Sequence, residues 1–130
     1  AGVPLPVFKD NGRLPYTDRV SYIDMQGALL SRIGLAGWEA VPTPGHTPDS
    51  ISLYNEKTHE LICGDLILGR HEGMGYLNRF CWDEGLTRDC FDILNNTLCV
   101  RTIYPGHGEV IRDDVNVFAK VVPFEGKGGK

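Results

Sequence analysis

Val41-Pro-Thr-Pro-Gly-His46-Thr-Pro-Asp-Ser50, continued by Ile51-Ser-Leu-Tyr54 and closed by Leu61-Ile-Cys-Gly-Asp65-Leu-Ile-Leu-Gly69, is the stretch whose reading decides the fold. It sets His46 directly after a Pro-Gly turn. Ser50 to Asn55 then alternates Ile51 and Leu53 against Ser52 and Tyr54, the period-two pattern of a half-buried strand. A turn at Asn55-Glu56-Lys57-Thr58 joins it to an apolar strand over Glu60 to Gly64, so the two are expected as antiparallel neighbours. The second strand ends on Asp65. The device returns at Tyr104-Pro105-Gly106-His107-Gly108, where an apolar run is again broken and followed by a metal-capable side chain.

Upstream, Ala1 to Phe8 reads as an extended segment that Pro4 and Pro6 restrict to an edge or entry strand. Asp10-Asn11-Gly12 is a turn, and Val20 to Asp24 a short strand. Ala28 to Ile33 and Leu35 to Val41 read as two strands in a hairpin-like pair; a helix over Gln26 to Ile33 competes, because Leu29, Leu30 and Ile33 also fit helical spacing. The chain starts without a methionine, which removal before Ala1 and a missing upstream portion explain equally.

Downstream, Arg70 to Gly85 has no clear period and carries Tyr76, Phe80 and Trp82, a loop long enough to imply a task such as covering a site. The aromatic cluster itself reads as loop packing onto the core. Thr87 is placed to cap a helix whose apolar stripe is Cys90, Phe91, Leu94 and Leu98, with Asp89 in its first turn. Cys99 to Tyr104 is a further strand. Asp113 or Asp114 caps a last helix with a face of Val115, Phe118, Ala119 and Val122. Strands interleaved with helices give an α+β class, with a mixed sheet and helices on one face. One domain is expected over residues 1–124, followed by a flexible tail at 125–130.

Composition narrows the function. A net charge of -4 argues against nucleic acid or an anionic membrane as the main partner. No apolar run is long enough to span a bilayer, and the N-terminus shows no basic-then-apolar leader, so a cytoplasmic, soluble protein is expected. Cys63, Cys81, Cys90 and Cys99 include no CxxC pair and read as free thiols buried as small hydrophobes. His59 reads as a surface histidine. His71 beside Glu72 reads the same way, with a substitute metal ligand as the lesser alternative.

A water-activating zinc or iron site needs imidazoles and carboxylates on rigid supports. His46, Asp65 and His107 each follow a strand and a glycine (Gly45, Gly64, Gly106), so they converge if those strand ends share one edge of a sheet. Taken together, Thr43-Pro-Gly-His46-Thr-Pro-Asp-Ser-Ile-Ser-Leu-Tyr54, Cys63-Gly-Asp65 and Tyr104-Pro-Gly-His107-Gly108 resemble the C-terminal half of the metallo-β-lactamase superfamily, above all its glyoxalase-II-like and lactonase-like hydrolases. The likeness covers Ala28 to Ile111 well. It implies half of an αβ/βα sandwich. It also implies His46 as the third histidine of a first metal site, Asp65 as a bridging carboxylate and His107 as the last histidine of a second site. The substrate it implies is a small ester, thioester or lactone.

The departure is the family's His-x-His-x-Asp-His motif, which supplies most of both metal sites. The four histidines here are His46, His59, His71 and His107, so nothing matches it. The opening Ala1-Gly-Val-Pro-Leu-Pro-Val7 is similar to the family's stretch just downstream of that motif. Two readings follow: a portion of a longer hydrolase, with zinc or iron substoichiometric or absent in this chain alone, or a non-catalytic half-domain working through a partner. Half a sandwich leaves apolar strand faces to cover, so a homodimer or the missing N-terminal segment is expected against them.

Overall fold

The computed structural model describes residues 34–124. Three successive strands form an antiparallel meander: β1 (Trp38–Pro42), β2 (Ile51–Asn55) and β3 (Glu60–Gly64). The β2–β3 turn is held by the Asn55 side chain, whose Oδ1 accepts from Lys57 N–H at 3.0 Å and Thr58 N–H at 3.2 Å. This is the Asx device expected of such a turn. The chain then makes β4 (Ile67–Gly69), a 3₁₀ turn at His71–Gly73 and β5 (Gly75–Leu77), followed by the helix α1 (Glu84–Thr97). It returns as β6 (Thr102–Pro105) and β7 (Ile111–Arg112), and ends with a 3₁₀ turn at Val117–Lys120 and β8 (Val121–Val122).

β6 lies parallel to β3, giving one five-stranded sheet in the order β1-β2-β3-β6-β7; a second, three-stranded sheet has the order β4-β5-β8. The class is mixed α+β. Register aligns Leu61, Ile103 and Ile111 on one face of the larger sheet, and all three are fully buried. They join Ile67, Leu77 and Val121 of the smaller sheet and Cys90, Phe91 and Leu94 of α1 in a single core cluster. Phe91 meets Phe118 edge-to-face, ring centroids 5.7 Å apart, the arrangement favoured by the ring quadrupoles.

Several expectations change. In β2 the inward face is Ser52 and Tyr54, while Ile51 and Leu53 are only half-buried. The inversion works because both hydroxyls find partners: Ser52 Oγ shares a 2.9 Å hydrogen bond with Thr43 Oγ1, and Tyr54 donates to the Cys99 carbonyl at 3.1 Å. A buried hydroxyl is tolerated when it is hydrogen-bonded.

The α1 cap is Asp83, whose Oδ1 accepts from Leu86 N–H at 2.9 Å, and not Thr87, which is buried inside the helix and donates back to the Asp83 carbonyl. Leu98 lies just beyond the helix. The expected last helix is only the 3₁₀ turn, capped by Asn116; Val115 is exposed and Val122 belongs to β8. Asp113 instead accepts from the Val115 and Asn116 N–H groups. Pairing of β8 with β5 takes the residues that would have extended the helix.

The strand expected over Leu35 to Val41 runs from Trp38 to Pro42 and pairs with β2; its expected hairpin partner, Ala28 to Ile33, lies outside the described residues. Arg70 to Gly85 is less bare than expected, since it holds a 3₁₀ turn, β5 and the start of α1. Cys63 and Cys90 are buried free thiols, as expected, but Cys81 is half-buried and Cys99 exposed. The expected elements before residue 34, and the tail at 125–130, lie outside the described residues. No helix among the described residues is long and apolar enough to cross a membrane.

Candidate metal centre

The parallel pairing of β3 with β6 does what the three turns required. Gly64 stands opposite Pro105, so Gly64-Asp65 and Gly106-His107 leave the sheet side by side. Gly106 N–H is bonded to the Gly64 carbonyl at 2.6 Å. β1 ends at Pro42, and the Thr43-Pro44-Gly45-His46 turn crosses to the N-terminal end of α1. There the Asp83 and Trp82 N–H groups bond the Gly45 and His46 carbonyls, both at 3.0 Å, and Cys90 Sγ–H donates to the Pro44 carbonyl at 3.2 Å.

Two glycines are required by close approach. A Cβ on Gly45 would meet the Thr87 backbone, with N and Cα 2.8 Å away, and its φ is +155°. A Cβ on Gly106 would meet Asp65 Oδ1 and the Gly64 carbonyl. The first Pro-Gly-His turn is therefore pressed against helix backbone that leaves room only for glycine, and the second against the Asp65 carboxylate.

His46, Asp65 and His107 come together, with Asp65 as the hub. His107 Nδ1–H donates to Asp65 Oδ1 at 2.8 Å, and His46 Nε2 lies 3.5 Å from Asp65 Oδ2. The opposite nitrogen of His46, Nδ1, is 2.9 Å from the Phe80 carbonyl. A carbonyl only accepts, so the neutral imidazole carries its proton on Nδ1 and turns the Nε2 lone pair toward Asp65. Two acceptors then face each other across 3.5 Å. Atoms bound to a tetrahedral ion at about 2.0–2.1 Å stand about 3.3 Å apart. The His46–Asp65 gap has that span, and the imidazole-plus-carboxylate donor set suits zinc or iron.

Other features limit the centre. Among the described residues, no three His, Cys, Asp or Glu side chains are gathered as a set that would hold an ion. The His107–Asp65 contact is at hydrogen-bond length and belongs to a free pair. His71 stands apart, almost wholly exposed and 3.8 Å from Glu109. His59, with φ of 61°, has its ring on the Cys99 carbonyl at 3.2 Å, and its own carbonyl takes the Arg101 and Thr102 N–H groups. It ties the hairpin to β6 and is no bystander at the surface.

A groove of about 860 Å³ opens beside the turns between Arg70, Tyr76, Arg79, Gly108 and Phe124, but His46, Asp65 and His107 do not line it. Phe80 is 87% and Trp82 59% exposed, so these rings do not pack on the core as the sequence suggested; their backbone groups bond His46.

Sequence reading missed Asn78. It is 6% exposed and bonded to the Asp65 carbonyl at 3.0 Å and to Phe80 N–H at 2.9 Å, and its Nδ2 lies 3.4 Å from His46 Nδ1. Only its position inside an otherwise unpatterned loop could have hinted at it.

Comparison with known proteins places the chain. The family model for the metallo-beta-lactamase superfamily matches residues 2–107. A beta-lactamase-like protein 2 homolog of Caenorhabditis elegans is 33% identical over 112 residues, covering 79% of this chain and 30% of that protein. The probable metallo-hydrolase YqjP of Bacillus subtilis (strain 168) is 29% identical over 83 residues, covering 60% of this chain and 26% of that protein. The chain thus spans under a third of either relative. A crystal structure of TTHA1623 in a di-iron-bound form aligns with a TM-score of 0.47 at 21% identity, covering 63% of this chain and 42% of that one.

Proposed function

Because the chain belongs to the metallo-beta-lactamase superfamily, we propose that it carries the His46, Asp65 and His107 part of a metal-dependent hydrolase centre for a small ester, thioester or lactone. The observation that carries this reading is the 3.5 Å gap between His46 Nε2 and Asp65 Oδ2, which sets two acceptors face to face when the imidazole is neutral. A cation between them removes the repulsion. The metal-dependent chemistry of the superfamily and the word metallo-hydrolase in one relative's name support the same choice.

His46 would hold zinc or iron through Nε2 and Asp65 through its carboxylate, while His107 contributes its outward Nε2, since Nδ1 is engaged by Asp65. The ion would supply Lewis acidity. The chain's own residues do the rest: Asp65 is oriented by His107 Nδ1–H, and His46 is aimed by the Phe80 carbonyl. Exposed Phe80 and Trp82 offer an apolar flank to the acyl or ring portion of a substrate.

Three donors underfill two metal sites, and the 130 residues hold no His-x-His-x-Asp-His. The chain alone is therefore expected to retain fewer than one zinc or iron after dialysis and to hydrolyse neither thioesters nor lactones. Zinc titration of the wild type and of His46→Ala, Asp65→Ala and His107→Ala tests the assignment. Each variant is expected to weaken binding, and four equal affinities would refute it. Two ions retained per wild-type chain would refute the underfilled site.

The His107–Asp65 contact, which closes as a direct hydrogen bond at 2.8 Å, favours a second reading, in which the turns persist as structure and the chain acts through self-association or a protein partner. No zinc binding, together with a dimer by light scattering, selects that reading.

A further inference from the structure

We infer that Asn78 is a positioning residue for this centre: by holding Phe80 it fixes which nitrogen of His46 carries the proton, and it ties the Phe80 segment to the Asp65 turn. The inference deepens the metal-centre reading and rests on it only for the metal-affinity part of the test.

The orientation of the Asn78 amide is determined by its partners. Oδ1 accepts from Phe80 N–H at 2.9 Å and Nδ2 donates to the Asp65 carbonyl at 3.0 Å; a flipped amide would set donor against donor and acceptor against acceptor. Nδ2 also lies 3.4 Å from His46 Nδ1. There it competes with the Phe80 carbonyl at 2.9 Å, and the shorter contact decides that Nδ1 holds the proton. Asn78 thus acts through Phe80. By gripping the Phe80 amide it holds the neighbouring carbonyl on His46, and through Nδ2 it ties the same segment to the Asp65 turn.

Hydrogen bonds to the far nitrogen of a metal-binding histidine set its tautomer and its aim; losing them typically costs tenfold to a hundredfold in metal affinity. Asn78, 6% exposed, is the buried polar group through which the His46 turn, the Asp65 turn and the exposed aromatics are coupled. Moving the Phe80–Trp82 segment therefore loosens His46 as well.

The test uses the full 130-residue chain, metal-free, at a pH where the imidazole is neutral. Side-chain ¹⁵N spectra assign the His46 tautomer, and zinc titration gives the affinity. Wild type is expected to show a single Nδ1–H tautomer. Asn78→Leu, similar in shape, is expected to give a mixture of tautomers and zinc affinity tenfold to a hundredfold weaker, with its fold checked by the backbone amide spectrum. Asn78→Asp keeps the acceptor for Phe80 N–H and is expected to keep the tautomer even if it loses stability; a merely structural role would not separate the two variants in this way.

An Nε2–H tautomer in wild type overturns the inference, and so does a single Nδ1–H tautomer in folded Asn78→Leu. Should Asn78→Leu not fold, the tautomer in wild type and in Asn78→Asp decides alone. A wild-type chain with the Nδ1–H tautomer and no zinc binding supports the positioning role and removes the metal reading.

Discussion

The two Pro-Gly-His turns look alike in sequence, yet alanine in place of their glycines is expected to fail differently. At Gly45 the new Cβ falls against the Thr87 N and Cα, 2.8 Å away, and the backbone φ is +155°. The obstacle is helix backbone in the first turn of α1, which cannot step aside. Overpacking costs about 1–3 kcal/mol, and a backbone conformation foreign to alanine about as much again. Gly45→Ala is thus expected to lose about 2–6 kcal/mol, or about 10 °C or more in Tm.

At Gly106 the nearest obstacle is the free end of the Asp65 side chain, with the Gly64 carbonyl behind it at 3.0 Å. A carboxylate can swing away, and its bond to the exposed His107 contributes little to stability. Gly106→Ala is expected to cost about 1 kcal/mol yet to displace Asp65 and weaken zinc binding about tenfold or more. Thermal melts and zinc titration of both variants read the contrast. The reasoning is refuted if Gly106→Ala melts as low as Gly45→Ala, or binds zinc as wild type does.

Thiol labelling of the native chain is expected to be fast at Cys99, slower at Cys81 and absent at Cys63, whose burial pushes the thiol up to about 12; modification of Cys63 without unfolding would contradict its place in the core. Glu60 is held below the ordinary carboxylate value of 4.5 by the Thr58 hydroxyl first and the Tyr104 hydroxyl second, the latter at 2.6 Å. A lowered folded value means that its stabilisation is complete above about pH 4.5 and is lost as the pH falls through the folded value. Tyr104→Phe is expected to lower stability at neutral pH, with the difference from wild type shrinking on acidification; a pH-independent difference would count against it.

What the sequence made legible was local. The β2–β3 hairpin was visible because its alternation is broken by an Asn-led turn. The stripe of α1 was visible because Cys90, Phe91 and Leu94 recur at helical spacing, and all three are buried. The convergence of His46, Asp65 and His107 followed from placing each after a strand. What stayed hidden depended on partners distant in the chain. Alternation alone did not say which face of β2 turns inward, because nothing near Ser52 or Tyr54 announces Thr43 Oγ1 or the Cys99 carbonyl. Thr87 looked like a cap, but Asp83 four residues earlier held the better-placed oxygen. Asn78 had little signature, since its bond to Phe80 N–H is an ordinary local turn contact and its other backbone partner, the Asp65 carbonyl, lies 13 residues away.

The parallel pairing of β3 with β6 also sets an order of assembly. β1, β2 and β3 are antiparallel neighbours in sequence order, so Asp65 sits at the end of locally closed structure, while the His46 turn also waits for the Phe80–Cys90 segment that holds it. His107 is 42 residues from Asp65 in the chain and joins only when the whole crossover closes. Closing a loop of that length costs on the order of 3 kcal/mol of chain entropy before any contact rewards it, and non-local pairings of this kind form slowly. Amide exchange at Gly106, whose N–H is held by the Gly64 carbonyl, is therefore expected to track separation of the parallel pair and not fraying of the hairpins. The His107 arm of the centre is thus expected to be gained and lost together with the β3–β6 pairing.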